Sequence, residues 1–336
     1  MNMKKTKYLC FAVILLIAFG CKPGSVEKKT DKVFLSKNIE YDVTINNFLL
    51  YHDMTLDEAG PLWFRDNIEA SSRIAFIDLM FKNALKGKLA LTDMNGKSID
   101  TNRLKELLSF TDTVSLTRLT PPFYTYDTVI TSMISKSNIT SLRFRENWLY
   151  NPVNMAITKE VTAMAPVFSF IRADDQGKES VSCNKTLFWI KLPEKSNSFH
   201  ILTKRIMYHV TVEKPANSNV LNSDTVALAS YINKLNDLVF SDSLKAYVWG
   251  GNDLADVLKK GKELKNDYNN MKISSLRFIE EWGFDPESMS LNKNVIGVCP
   301  VVAVFYENND LKGYRPLYFV YFSDVWMPFG EKLALK

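Results

Sequence analysis

Three acids, Glu280, Glu281 and Asp285, stand close together around Trp282. Two carboxylates beside an apolar site are the equipment of glycoside hydrolysis, where one acid protonates the leaving group and the other attacks or activates water. A second segment of the chain argues against that use. It keeps Glu146 beside Trp148 but has Asn147 and Asn151 where Glu281 and Asp285 stand. We therefore read these acids as solvent-facing positions on a strand beside a buried tryptophan. Trp148 and Trp282 could stack on sugar rings, but they alternate with Phe144 and Leu142, and with Phe278 and Leu276. That spacing puts each set on one strand face, which favours a core anchor. Arg143 and Arg277 lie three positions before Glu146 and Glu280, hence on the opposite face, where one set is available to a partner chain.

The other chemistry-bearing types are sparse. His52, His200 and His209 are the only histidines, and no two have metal-ligand spacing on one helix. Gly250-Gly251-Asn252-Asp253 lacks the lysine and spacing of a phosphate loop and reads as a turn with a helix cap. Ser241-Asp242-Ser243 has no nucleophile-elbow context. The acids are too scattered for a calcium loop. No metal, no cofactor and no enzymatic activity are expected.

The elements that must position these residues begin behind an address. Lys4, Lys5 and Lys7 precede an apolar run over 8–19, then Gly20 and Cys21. A positive start, a short apolar stretch and a small residue at the cut make a secretory signal; a spanning helix needs about 20 apolar residues. The cysteine resembles the acylated position of a bacterial lipobox, so Cys21 is the expected lipid anchor, with 1–20 the signal peptide and 21–36 a polar tether. The formal charge of +5 falls to +2 once the three leader lysines are set aside. No basic stripe follows, so no nucleic-acid partner is expected. With Cys10 removed and Cys21 acylated, Cys183 and Cys299 remain; two buried thiols are the simpler expectation, with a disulfide the alternative. The 336 residues are 46% hydrophobic and 24% charged, which suits two globular domains.

The chain also repeats itself. Residues 139–167 align without a gap to 273–301, and 13 of the 29 positions are identical. The pairs include Arg143/Arg277, Phe144/Phe278, Glu146/Glu280, Trp148/Trp282 and Pro166/Pro300. Upstream, 37–45 aligns to 204–212, and Leu104, Leu107 and Leu108 to Leu254, Val257 and Leu258; downstream, 185–190 aligns to 315–320. Each copy reads as a strand with alternating apolar residues, an amphipathic helix, a short strand, a second short helix, and a long strand leading into a hairpin. The first helix has Ile74, Ile77, Phe81, Ala84 and Leu85 on its expected apolar face; its counterpart has Leu228, Tyr231, Ile232, Leu235 and Leu238. Thr101, Ser223, Asp224 and Asn252 are the expected caps. Hairpins without alternating strand and helix crossovers predict an α+β fold. The expectation is two tandem homologous domains, 37–193 and 200–336, each an antiparallel sheet with one or two packed helices.

In the second copy Arg277, Phe278, Glu280, Glu281, Trp282 and Asp285, then Pro300, then Gly313, Tyr314 and Pro316 fall in one order of motifs: LRFIEEWGFD, then VIGVCP, then LKGYRPLYFVY. This pattern resembles the gliding-motility GldN/PorN family of the Bacteroidetes. The first copy is a divergent version, with Arg143, Phe144, Glu146, Trp148 and Pro166 as its equivalents. The resemblance implies a non-enzymatic periplasmic component of a type IX secretion or gliding apparatus, with a ring lipoprotein among its protein partners. Typical members resemble one copy and leave the lipid anchor to that partner; this chain has two copies and an anchor signal of its own. The alternative is a cell-envelope lipoprotein that binds glycan or peptidoglycan. Either way the expected location is the outer membrane, lipid-anchored, on the periplasmic side, with exposure at the cell surface the alternative.

Overall fold

Alternating apolar residues make β1 (Val33–Thr44) a strand with one dry face: Leu35, Ile39, Tyr41 and Val43 are buried. Its counterpart β10 (His200–Thr211) buries Leu202, Ile206, Tyr208 and Val210 in the same pattern. The structure is a computed structural model that describes residues 32–45, 68–173, 179–193, 199–211, 220–222, 225–249, 256–268, 271–309 and 311–322. Cys21 and the signal, His52, the linker near 194–198, the 250–255 loop and the caps expected at Ser223, Asp224 and Asn252 lie outside those residues.

The remaining elements follow in order. They are α1 (Ala70–Leu85), β2 (Ala90–Thr92), β3 (Ser98–Ile99), α2 (Thr101–Leu107), β4 (Ser109–Thr117), β5 (Thr125–Met133), β6 (Ile139–Tyr150), β7 (Ile157–Ala173), β8 (Glu179–Thr186) and β9 (Trp189–Lys191). After β10 come β11 (Val220–Asn222), α3 (Thr225–Phe240), β12 (Ala246–Trp249), β13 (Asp256–Lys259), α4 (Gly261–Tyr268), β14 (Ser275–Phe284), β15 (Leu291–Phe305), β16 (Leu311–Pro316) and β17 (Val320–Tyr321). The fold is α+β with antiparallel pairing throughout. One large sheet runs β11-β1-β6-β7-β9-β2-β3 with β8 also on β7, and a second runs β10-β14-β15-β16 with β17 also on β15; β4–β5 and β12–β13 form two-stranded sheets.

The two sheets pair in the same register. Tyr41 lies opposite Phe144, and Tyr208 opposite Phe278. The irregularity between Arg145 and Glu146 on β6 recurs between Ile279 and Glu280 on β14. The turns after β6 and β14 match too: Met155 and Met289 both take left-handed φ values, 60° and 58°, although both are fully buried. α1 and α3 are each 16 residues long.

Some expectations shift. Ile74 is exposed on α1; the buried stripe is Phe76, Ile77, Met80, Phe81 and Ala84, because the helix rests on two sheets at once. Asp100, not Thr101, caps α2, accepting from the Arg103 backbone N–H at 2.7 Å. Val257 and Leu258 fall on β13 rather than on a helix, so the buried counterpart of Leu104 is Leu264 of α4. The segment between the short helix and β6 holds a hairpin, β4–β5, paired from Ser109↔Met133 to Thr117↔Thr125. Its turn and flanks expose Leu119, Phe123, Tyr124 and Tyr126. Only six residues separate α4 from β14 in the second half.

The repeats do not close off separate cores. Residues 32–336 cluster as one unit, and a single buried cluster takes residues from both sheets. The inner faces of the sheets meet, and the long helices cross between halves. Phe76 of α1 packs edge-on against Phe284 of β14 at 5.1 Å, and Tyr231 of α3 against Tyr150 of β6 at 5.3 Å. These are the same pair of positions in reciprocal roles. Tyr231 also donates to the Met155 carbonyl at 2.8 Å. β11, from the second half, adds to the edge of β1 in the first.

Candidate functional site

The shared core is charged at its centre. β6 aims Leu142, Phe144, Glu146 and Trp148 inward, and β14 aims Leu276, Phe278, Glu280 and Trp282. β7 and β15 add Lys159 and Lys293, which stand beside Trp148 and Trp282 across the ladder. All four charged side chains are inaccessible to solvent.

Each ion pair crosses from one half to the other. Lys293 Nζ lies 2.7 Å from Glu146 Oε1, and Lys159 Nζ lies 2.8 Å from Glu280 Oε1. Within each half, tyrosine and tryptophan donate to the second carboxylate oxygen. Tyr41 Oη and Trp148 Nε1 reach Glu146 Oε2 at 2.6 and 2.7 Å; Tyr208 Oη and Trp282 Nε1 reach Glu280 Oε2 at 2.8 and 2.7 Å. The two phenol oxygens meet at 3.0 Å on the pseudo-two-fold axis, their rings stacked at 5.7 Å. Lys159 also donates to Tyr208 at 2.8 Å, and Lys293 to Tyr41 at 3.2 Å. The ammonium of Lys159 sits 3.3 Å from the ring centre of Phe278, and that of Lys293 3.1 Å from Phe144. Such cation–ring contacts are worth about 2 kcal/mol when desolvated.

The electrostatics follow from burial and pairing. Burial would raise the Glu146 carboxyl, but the ammonium groups of Lys293 and Lys159 outweigh it and hold it below its usual range. Burial pushes Lys293 down to about 8, and Lys159 also falls, against the pull of the glutamates. Tyr41 and Tyr208 are pushed well up by burial and by the neighbouring carboxylates, so they remain donors. Two ions of each sign make the centre neutral overall. Every carboxylate is committed to an ammonium, a phenol and an indole, which leaves a join between sheets rather than a reactive acid.

This overturns the expectation that the acids beside Trp148 and Trp282 face solvent, at least for Glu146 and Glu280. The alternation that buries Phe144 and Trp148 includes Glu146, because the period of two runs unbroken along β6; the extra residue at the irregularity, Thr162, lies on β7. Glu281 does point away from the core, and opposite it on β15 stands Asn294. Asp285 belongs to the turn after β14. Its Oδ1 accepts from the Glu287 backbone N–H at 2.9 Å, as Asn151 Oδ1 accepts from Val153 at 2.9 Å. Either side chain serves that Asx turn, which is why the two halves differ there without differing in shape. Pro166 and Pro300 lie opposite Leu142 and Leu276 in the ladders.

Sequence reasoning missed Lys159 and Lys293. The signal was available: both are identities of the repeat, and each alternates with apolar neighbours, Ile157 and Val161 or Leu291 and Val295.

The outer faces of the sheets differ where the inner faces agree. On the first sheet Arg143 makes a two-pronged pair with Asp42, at 2.6 and 2.9 Å, and Arg145 pairs with Glu40 at 2.6 Å. Arg145 also lies over Trp189 at 4.5 Å. On the second sheet the matching positions are Arg277 opposite His209, and Ile279 opposite Met207. Ile279 joins an apolar cluster with Ile296, Cys299, Val301 and Phe319. Cys299 is buried, its Sγ donating to the Pro300 carbonyl at 3.3 Å. Gly313 and Pro316 lie in β16, facing Val304 and Val301. Tyr314 remains 43% exposed, its ring 5.0 Å from the His209 imidazole. No group of three or more metal-ligating side chains occurs among the described residues.

Fold and site together define an α+β body of two sheets whose buried charges fasten one half of the chain to the other. Residues 201–327 match the model of the family described as gliding motility associated protein GldN. That span runs from β10 through β17, so the second half of the chain is a GldN-like unit, as its motifs implied. No curated protein matches the chain.

Proposed function

We propose that this chain is a non-enzymatic, outer-membrane-anchored periplasmic lipoprotein that serves as a structural or accessory element of a type IX secretion or gliding apparatus. The single observation that carries the reading is the GldN match over 201–327, on a unit whose acids and tryptophans are spent on internal joining. Such a body works by presenting surfaces, and its partners are other proteins of the assembly. Cys21 supplies the membrane attachment through its acyl chains, and the polar residues before Val33 act as a tether. The first half is a duplicated, divergent copy of the second: it completes the second half's core in place of another subunit. Burial of Trp148 and Trp282 disfavours the alternative of a glycan- or peptidoglycan-binding lipoprotein, which needs aromatic rings lining an open groove.

The test is recovery of the tagged full chain from detergent-solubilised envelope, followed by mass spectrometry of what comes with it. Secretion or gliding components should be recovered with the wild type, and the Cys21→Ser chain should leave the membrane fraction. Recovery of peptidoglycan fragments alone would refute the scaffolding role.

A further inference from the structure

The two halves solve one electrostatic problem differently, and the difference marks a surface. On the first sheet the guanidinium of Arg143 is neutralised in cis: Asp42, directly opposite on β1, takes both prongs. On the second sheet Arg277 occupies the same register, but His209 stands where Asp42 would be. His209 is not a counterion, because burial and then Arg277 itself push its pKa down to about 4, which leaves it neutral. Its Nδ1 is buried without a hydrogen-bond partner. Burial likewise pushes the Arg277 guanidinium below its ordinary value, while the Cys299 thiol acts the other way. No carboxylate among the described residues pairs with Arg277.

A half-buried arginine beside an orphaned imidazole nitrogen is costly to leave unmatched. The surround is aromatic and exposed: Tyr314 rests on His209, and Phe305 and Tyr306, at the neighbouring end of β15, are 57% and 54% accessible. Arginine and tyrosine at an apolar face are the residue types that carry binding energy at protein interfaces. The outer face of the first sheet, closed by its own ion pairs, makes no such demand.

We propose that the outer face of the second sheet is a docking surface for a partner protein, and that an aspartate or glutamate of that partner fills, beside Arg277 and His209, the place that Asp42 fills beside Arg143. The proposal rests on the scaffolding function above, since it needs a protein partner. Specificity would come from the guanidinium fork, which favours a planar carboxylate, and affinity from Tyr314 and Phe305.

The test places a photo-crosslinking phenylalanine analogue at Tyr314 in the full chain in its own envelope, with a second probe at Leu119 on the β4–β5 turn as the reference site. Crosslinked peptides are identified by mass spectrometry. The expected result is one partner segment containing Asp or Glu, with yield at Tyr314 reduced at least about tenfold by either Arg277→Gln or His209→Asp, and unchanged at Leu119. His209→Asp restores the internal pair and should raise the melting temperature of the purified chain, so loss of crosslinking in it is not loss of fold. Unchanged yield in His209→Asp, or a crosslinked segment without an acid, would overturn the docking surface and leave the secretion role standing. Absence of any crosslink at Tyr314 or Leu119, with no partner recovered from the envelope, would overturn both.

Discussion

Removing one ammonium from the core should cost more than removing one carboxylate, although the two form a single pair. In Lys293→Met the Glu146 carboxylate keeps Tyr41 and Trp148 but loses the cation 2.7 Å away, in a site closed to solvent. Breaking a buried pair from one side costs about 3–5 kcal/mol. The carboxyl can escape only by taking up a proton, and at pH 7 that means raising a pKa now held below its usual range. In Glu146→Gln the amide oxygen can still accept from Tyr41 and Trp148. The stranded Lys293 needs only to lose a proton, and burial has already brought it down to about 8. The cost of that variant should be about 1–2 kcal/mol near neutral pH, since each unit of pKa is worth about 1.4 kcal/mol, and should shrink as the pH rises past 8.

A body of this size loses about 1.5–2 °C of melting temperature per kcal/mol. Lys293→Met should therefore melt about 5–10 °C below wild type, and Glu146→Gln about 2–4 °C below. The double variant, with neither charge, should lie above Lys293→Met despite carrying one more substitution. Denaturant titration of the four proteins at pH 7 gives the coupling energy, expected at about 2 kcal/mol, within the range for residues in direct contact. A coupling below about 0.5 kcal/mol, or Glu146→Gln more costly than Lys293→Met, would refute the reasoning. The pair Lys159 and Glu280 should repeat the result, because the axis between Tyr41 and Tyr208 makes the two sites equivalent.

His209 has a folded pKa of about 4 against an ordinary 6.5, so the unfolded chain binds its proton first. Stability should fall as the pH drops from 6.5 towards 4, by about 2–3 kcal/mol after allowance for part exposure; denaturation across that window should flatten in His209→Gln, and an unchanged slope would exclude His209 as the source. Asp285→Asn should melt with the wild type, because Asn151 already serves the matching turn, whereas Asp285→Ala should cost about 1 kcal/mol through the lost Asx bond; equal losses in both would count against the turn role. Residues 200–336 expressed alone should self-associate, with Lys293 of one copy on Glu280 of another. Sedimentation should then give a dimer whose melting point rises with concentration, and a stable monomer would be the contrary result.

Much of the fold was legible because it is written twice. Two alignments at constant spacing located β1 and β10, and β6 and β14, and both pairs hold to the residue in the registers. The helices were legible as elements but not in rotation. Ile74 fits the helical period as well as Phe76 does, and only the second sheet, against which Phe76 rests at Phe284, decides between them. The β4–β5 hairpin was not legible, since β5 is mostly exposed and shows no buried face. The core ions were illegible for a further reason. A glutamate on a strand is charged surface on every ordinary prior, and its burial depends on a lysine from the other half of the chain. Spacing within either half cannot reveal a pair that exists only between halves.

That crossing also explains which positions the halves still share. Each inner residue contacts its own sheet and the opposite one: Phe144 meets Trp282 at 5.2 Å, and Trp148 meets Phe278 at 4.9 Å. A change at Phe144 alters packing for both halves, and a change at Glu146 strands a lysine of the other. Phe144, Glu146, Trp148 and Lys159 all recur unchanged as Phe278, Glu280, Trp282 and Lys293. The outer faces carry no such mutual obligation, and there Asp42 became or began as His209, and Arg145 as Ile279. The arginine at the edge of that freedom is the informative one. Arg143 and Arg277 were both kept, yet only the first has a carboxylate of its own chain among the described residues. If the arginine served only the fold, the half that lacks the acid would gain by losing it, since a half-buried cation without a counterion costs free energy. Its retention beside His209 and Tyr314 is what an interface with a second, acid-bearing protein requires.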